Sequence, residues 1–221
     1  MHIPDGFVSP STYIVSTVVA IPLLSIALKK TKEAINDESF ALLSSLTAFS
    51  FIVMMFNIPI PGGTTGHAIG TATLSILFGP WIAAFCVSLT LFIQAIVFGD
   101  GGITVFGINS LAMGFTAAFS SHFAYKILGG KINNQVALFV SGWIGIVLAS
   151  VIVAVVLGIQ PLLGVDESGK PIYFPFGLNV TIPAIVGSHI LFFGIAEGIA
   201  TMLVVGFIEK IKAKSKQEAL V

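Results

Sequence analysis

AIGTATLSILFGPWIAAFCVSLTLFIQAIVF (residues 68–98) decides the fold, because it reads either as one long apolar helix or as two helices broken at Gly79-Pro80. Proline lacks a backbone N–H and restricts the residue before it, which favours the break. The lysines choose between the two readings. With the break, Lys29, Lys30, Lys32, Lys126, Lys131, Lys210, Lys212, Lys214 and Lys216 fall on one side of a membrane and only Lys170 on the other. Nine against one is a strong positive-inside pattern, whereas an unbroken helix leaves four against six and no orientation.

Outward from that stretch, apolar segments at 10–28, 40–57, 68–79, 81–98, 106–125, 136–159 and 181–208 approach the roughly 20 residues that a helix needs to cross a bilayer. Of 221 residues, 56% are hydrophobic and 9% charged, against the roughly 25% charge of soluble domains. The expected fold is an all-α integral membrane protein, a seven-transmembrane-helix bundle with the N-terminus outside and the C-terminus cytoplasmic. It forms one membrane domain over 1–221: an arm at 1–9, the bundle at 10–208 and a cytoplasmic tail at 209–221. The expected location is the cell membrane, with multiple passes. No basic segment precedes an apolar run ending in a small-residue cleavage site, so the first span is expected to be retained. Cys86 sits in an apolar run and reads as a small buried hydrophobe. Net charge is zero and arginine is absent, which argues against nucleic acid as a partner.

The third span, 68–79, is too short to cross the hydrocarbon core alone. The loop before it, Pro59 to His67, is rich in Gly and Pro, and irregular backbone at membrane depth needs protein or a water-filled cavity to satisfy it. That loop is a candidate site wall. Ser9 reads as an N-cap with Pro10 at the first helical position, leaving residues 1–8 outside the first helix. Extended, they reach roughly 25 Å, far enough to fold back into the outer mouth.

The arm begins Met1-His2, which places three nitrogens in covalent series: the terminal amine, the residue 2 amide and the imidazole Nδ1. Together they form fused five- and six-membered chelate rings around one metal ion without help from the fold. This requires Met1 to be the terminus, and the bulk of His2 is expected to block removal of the initiator methionine. His67 opens the third span on the same outer side and supplies a fourth nitrogen. A planar tridentate chelate with a fourth imidazole suits Ni(II) or Cu(II) better than tetrahedral Zn(II). Nickel and cobalt are the first choices for a transporter, and geometry alone does not exclude copper. A helix N-terminus beside His67 repels a cation, so compensation is expected from amide deprotonation and from Asp5 or Asp100. Asn109 and His189 join them as outer-shell candidates.

Other intramembrane ionisable groups point to function by default, because they are costly in lipid. His122, near the inner end of its span, suggests snorkelling or partner contact. Glu197 lies within Gly194-Ile195-Ala196-Glu197-Gly198 and suggests an interhelical hydrogen bond or a partner surface. The small-residue faces Ala68/Ala72 and Gly194/Gly198 fit either docking or internal packing. Hydrolase, zincin and phosphate-loop signatures are missing, so the chain reads as no enzyme, with any ATP hydrolysis carried by separate partner ATPases.

MHIPDGF at the start, PGGTTGHAIG at 61–70 and FGDGGITVFGIN at 98–109 resemble the substrate-binding component of nickel/cobalt energy-coupling factor transporters, the CbiM/NikM family. The resemblance covers essentially the whole chain. It implies high-affinity capture and uptake of Ni(II) or Co(II) as transported substrate, not catalytic cofactor, on the Met1 amine, the His2 amide and imidazole, and His67. It also implies partners: a transmembrane coupling subunit, a pair of ABC-type ATPases and a small accessory membrane subunit. The chain ends soon after its last span, so the accessory function is expected to be supplied separately or dispensed with. Two other readings stand beside it: a self-sufficient metal permease, and an intramembrane metalloenzyme using His122, His189 and Glu197.

Overall fold

A computed structural model describes residues 1–218, with the side chain of Lys216 left aside; residues 219–221 of the expected tail lie outside the described residues. The chain is predominantly helical. In order it forms α1 (Pro10–Ala34), α2 (Asp37–Met54), a hairpin of β1 (Ile58–Pro59) and β2 (Thr65–Gly66), α3 (Thr71–Phe78) and α4 (Pro80–Phe98). It continues as α5 (106–128), α6 (Asn134–Gly158) and α7 (178–218). Five of these helices are long and apolar enough to cross a membrane: α1, α2, α4, α6 and α7. The protein is a multi-pass membrane protein.

The Gly79-Pro80 break is present. Gly79 adopts φ +91°, a conformation that stops α3, and Pro80 opens α4. α3 starts three residues later than expected, because Gly70 is left-handed at φ +69° and residues 67–70 run as irregular backbone beneath the hairpin. α1 begins at Pro10 as read, but Ser9 does not cap it with its side chain. The Ser9 hydroxyl instead meets Ser11 and Thr12, and its N–H donates to Gln160 Oε1 at 2.8 Å. At the other end, the expected tail from residue 209 continues α7 through Glu218.

α6 is the central helix, lying against α5 on one side and α7 on the other. Small residues make the approach close. A Cβ on Gly142 would stand 2.7 Å from Thr201 Oγ1, and one on Gly145 would stand 3.1 Å from the Ala117 carbonyl. Gly194 and Gly198 lie similarly under Trp143 and Phe139, so this face serves internal packing. Four π-helical turns interrupt the rods, at Gln94–Phe98, Ser110–Thr116, Ile182–Val186 and His189–Phe193. Such turns recur at functional sites. Here they border Gln94, Asn109 and His189.

Candidate metal site

The first three residues enter the bundle and are buried there: Met1 and Ile3 are 0% exposed and His2 3%. The hairpin holds the arm from one side. Met1 N donates to the Thr65 carbonyl and, at 3.1 Å, to Thr65 Oγ1, while Thr64 Oγ1 donates to the His2 carbonyl at 2.7 Å. From the other side, Asn109 grips Ile3 twice. Its Oδ1 accepts from Ile3 N–H and its Nδ2 donates to the Ile3 carbonyl, both at 3.0 Å. Gly102 N–H adds a third bond to that carbonyl at 2.9 Å.

These contacts bring His2 over His67, with ring centroids 4.7 Å apart and planes inclined by 20°. His67 Nδ1 lies 3.0 Å from the Ala68 carbonyl, so the ring carries its proton there and leaves Nε2 as a lone pair. His67 Nε2 and both His2 ring nitrogens have no hydrogen-bond partner among the described residues. His2 Nδ1 does approach Asp100 Oδ1 to 3.2 Å, without the alignment of a hydrogen bond. Asp100 is steadied by Asn57 Nδ2 at 2.6 Å. Buried nitrogens without partners are costly unless something occupies them.

The electrostatics favour neutral bases. Burial lowers the pKa of the Met1 amine from 8.0 to about 4, although Asp100 acts in the opposite direction. Burial likewise lowers His2 despite Asp100. Burial alone would raise Asp100, but the neighbouring His2 and Asn57 hold it below the usual carboxylate range. Unprotonated nitrogens beside one carboxylate are chemically able to hold a cation.

The outer-shell candidates separate. Asp100 and Asn109 face the arm as described. Asp5 turns away: its carboxylate accepts from the Ile103 and Thr104 amides at 3.0 and 2.9 Å and from the Thr104 hydroxyl, closing the turn before α5. Partial burial raises its pKa, but those bonds outweigh it and hold the group low. His189 is buried, with Nδ1 2.7 Å from the Ile185 carbonyl and Nε2 without a partner among the described residues. His122 stands apart, with Nδ1 3.3 Å from the Ser75 carbonyl. His122, His189 and Glu197 do not form a metal-holding group; no cluster of three His, Cys, Asp or Glu side chains with that geometry occurs among the described residues. Thr64 and Thr65 were not singled out in the sequence, and only their place beside His67 hinted at a role.

Between the arm and the hairpin lies a cleft lined by His2, Thr64, Thr65 and Asp100. A larger groove, between Ile21, Leu24, Phe85 and Phe92, is apolar and has no titratable lining residue.

The family described as "Cobalt uptake substrate-specific transmembrane region", CbiM, matches residues 2–215. A probable fused nickel transport protein, LarMN of Lactiplantibacillus plantarum, is 40% identical over 214 residues, covering 96% of this chain. The chain spans 65% of that relative's length. A putative metal transport protein of Methanocaldococcus jannaschii is 38% identical, with 96% of this chain and 93% of the relative covered. Among solved structures, a truncated transition metal transporter superposes with a TM-score of 0.91 at 43% identity, over 95% of this chain and 99% of the other.

Proposed function

The chain belongs to the CbiM family, and from that premise we propose that it captures Ni(II) or Co(II) with high affinity at the outer face, as the substrate-binding component of an ATP-driven energy-coupling factor transporter. The Met1 amine, the His2 amide nitrogen, the His2 imidazole and His67 Nε2 are the proposed ligands. One observation carries the assignment: a buried amine and buried imidazole nitrogens without partners lie together where the first two residues meet the hairpin. Asn109 holds Ile3 and so leaves the amide of residue 2 to the ion. Asp100, beside His2 Nδ1, offsets cationic charge. Ligands of this kind must be deprotonated, and the burial that keeps these bases neutral prepares them for capture.

The proposed topology has seven spans, with α3 and its preceding loop forming one of them under the cover of the other helices. The arm lies outside. Lys29, Lys30 and Lys32 lie at the end of α1, Lys126 at the end of α5 with Lys131 in the turn after it, and Lys210, Lys212 and Lys214 at the end of α7, a distribution that supports a cytoplasmic inner face. ATP hydrolysis is assigned to a separate pair of ABC-type ATPases acting through a transmembrane coupling subunit. A small accessory membrane subunit completes the set, a reading to which the greater length of the fused relative lends support.

The test is an added residue before Met1. It breaks the chelate-ring series while leaving every side chain in place, and should reduce Ni(II) affinity at least about a hundredfold in a calorimetric titration. Unchanged affinity would refute the ligand set.

A further inference from the structure

Ile69 and Gly70 follow His67 closely, and their backbone is held by two other helices. Glu197 Oε2, on α7, accepts from the Ile69 N–H at 2.7 Å and the Gly70 N–H at 3.0 Å. Ser50 Oγ, on α2, donates to the Ile69 carbonyl at 2.5 Å. Ser50 and Ile69 are fully buried, and Glu197 is 1% exposed.

The need for an acceptor from elsewhere lies in Gly70. It is the N-cap of α3, and a Cβ there would stand 3.3 Å from Ser50 Cα. Left-handed and packed against Ser50, Gly70 brings no side chain of its own, so the N–H groups of the irregular backbone at Ile69 and Gly70 take their acceptor from another element. Glu197 lies 128 residues from Ile69 in the chain.

We infer that Glu197 is a positioning residue for the cargo site: through Ile69 and Gly70 it fixes where the His67 imidazole stands, and so ties that site to α7. This rests on the metal reading of Met1, His2 and His67 and deepens it. Plain packing explains the residue poorly. Glu197 Oε1 has no hydrogen-bond partner among the described residues, and a half-satisfied buried carboxyl group is a costly way to fill space. The next turn of α7 acts on the same segment. Phe193 covers Gly66 so closely that a Cβ on that glycine would lie 1.9 Å from the ring. Phe193 and Glu197 therefore hold residues 66 and 69–70, on either side of His67, from one face of one helix.

The experiment compares Glu197→Gln, Glu197→Ala, Ser50→Ala and His67→Ala in the full chain with an unextended start. Ni(II) affinity and the ligand-field absorption of the bound ion are measured, with thermal unfolding of the metal-free protein alongside. Glutamine keeps an acceptor oxygen for both amides, so Glu197→Gln should bind within about threefold of the parent with an unchanged spectrum. Glu197→Ala should lose at least about tenfold and broaden the ligand-field band. Parent-like binding and spectrum in Glu197→Ala would overturn the inference, as would a loss in Glu197→Gln equal to that in Glu197→Ala. If Glu197→Ala does not fold, Ser50→Ala decides: it frees the same peptide from the other side, and unchanged affinity and spectrum overturn the inference. His67→Ala separates the two levels. If it binds like the parent, the metal site itself is wrong; if it loses binding while Glu197→Ala does not, only the role of Glu197 falls.

Discussion

Replacing Asn109 with alanine removes two hydrogen bonds from one buried residue of the arm without touching a proposed ligand. The Ile3 carbonyl keeps its bond from Gly102 N–H at 2.9 Å, whereas the Ile3 N–H loses Asn109 Oδ1. A buried N–H left without a partner costs about 1–3 kcal/mol, and the second lost bond about 0.5–1.5 kcal/mol. Arm docking is therefore weakened by roughly 2–4 kcal/mol, a factor of about 30 to 1,000 at 1.4 kcal/mol per decade. Metal affinity falls only in proportion to the arms that undock, since the apparent constant scales with the competent fraction. The expected loss is thus at least about tenfold. Asn109→Asp should not rescue it: Oδ1 still accepts from Ile3 N–H, but the second oxygen replaces the donor that stands 3.0 Å from the Ile3 carbonyl. Calorimetric titration with Ni(II) reads the affinity, and hydrogen exchange at Ile3 in the metal-free protein reads docking. Asn109→Ala protein that binds within twofold of the parent, with Ile3 exchange unchanged, would refute the view that Asn109 sets the arm in place.

Gly66→Ala should lower both the unfolding temperature and the Ni(II) affinity, because overpacking against Phe193 costs about 1–3 kcal/mol; a Gly66→Ala/Phe193→Leu double variant should recover part of each, and an indifferent single variant contradicts the close approach. The pH response follows from the neutral amine. Its folded pKa, about 4, lies below the ordinary 8.0, so its contribution to the docked arm is complete above pH 8.0 and is lost progressively as pH falls towards 4. Loss of the residue 2 amide proton on binding acts in the same direction. Ni(II) affinity should fall by at least about tenfold per pH unit between 8 and 6, and a flat profile from pH 5 to 8 is incompatible with nitrogen ligands of this kind.

Much of the frame was legible because its signals are local or additive. The helix break depends on one dipeptide, Gly79-Pro80. The proposed chelate rests on the covalent adjacency of Met1 and His2, and the proposed orientation on lysine counting, which sums along the whole chain. Asp100 and Asn109 could be named as outer-shell candidates from the motif at 98–109, but their partners could not: Asn109 meets Ile3 across 106 residues, a pairing that leaves no periodic trace. Asp5 shows the limit from the other side. An acid three residues beyond His2 in a Gly- and Pro-bearing arm reads as charge compensation, yet a turn with free amides at Ile103 and Thr104 competes for the same carboxylate and wins it with three bonds. Glu197 was legible as an interhelical hydrogen bond or a partner surface, but its partners at Ile69 and Gly70 were not. Why its cost is tolerated depends on the irregular backbone before α3, where the N–H groups of Ile69 and Gly70 have no acceptor other than Glu197 among the described residues. The motif at 61–70 thus carries a demand that only a distant helix meets.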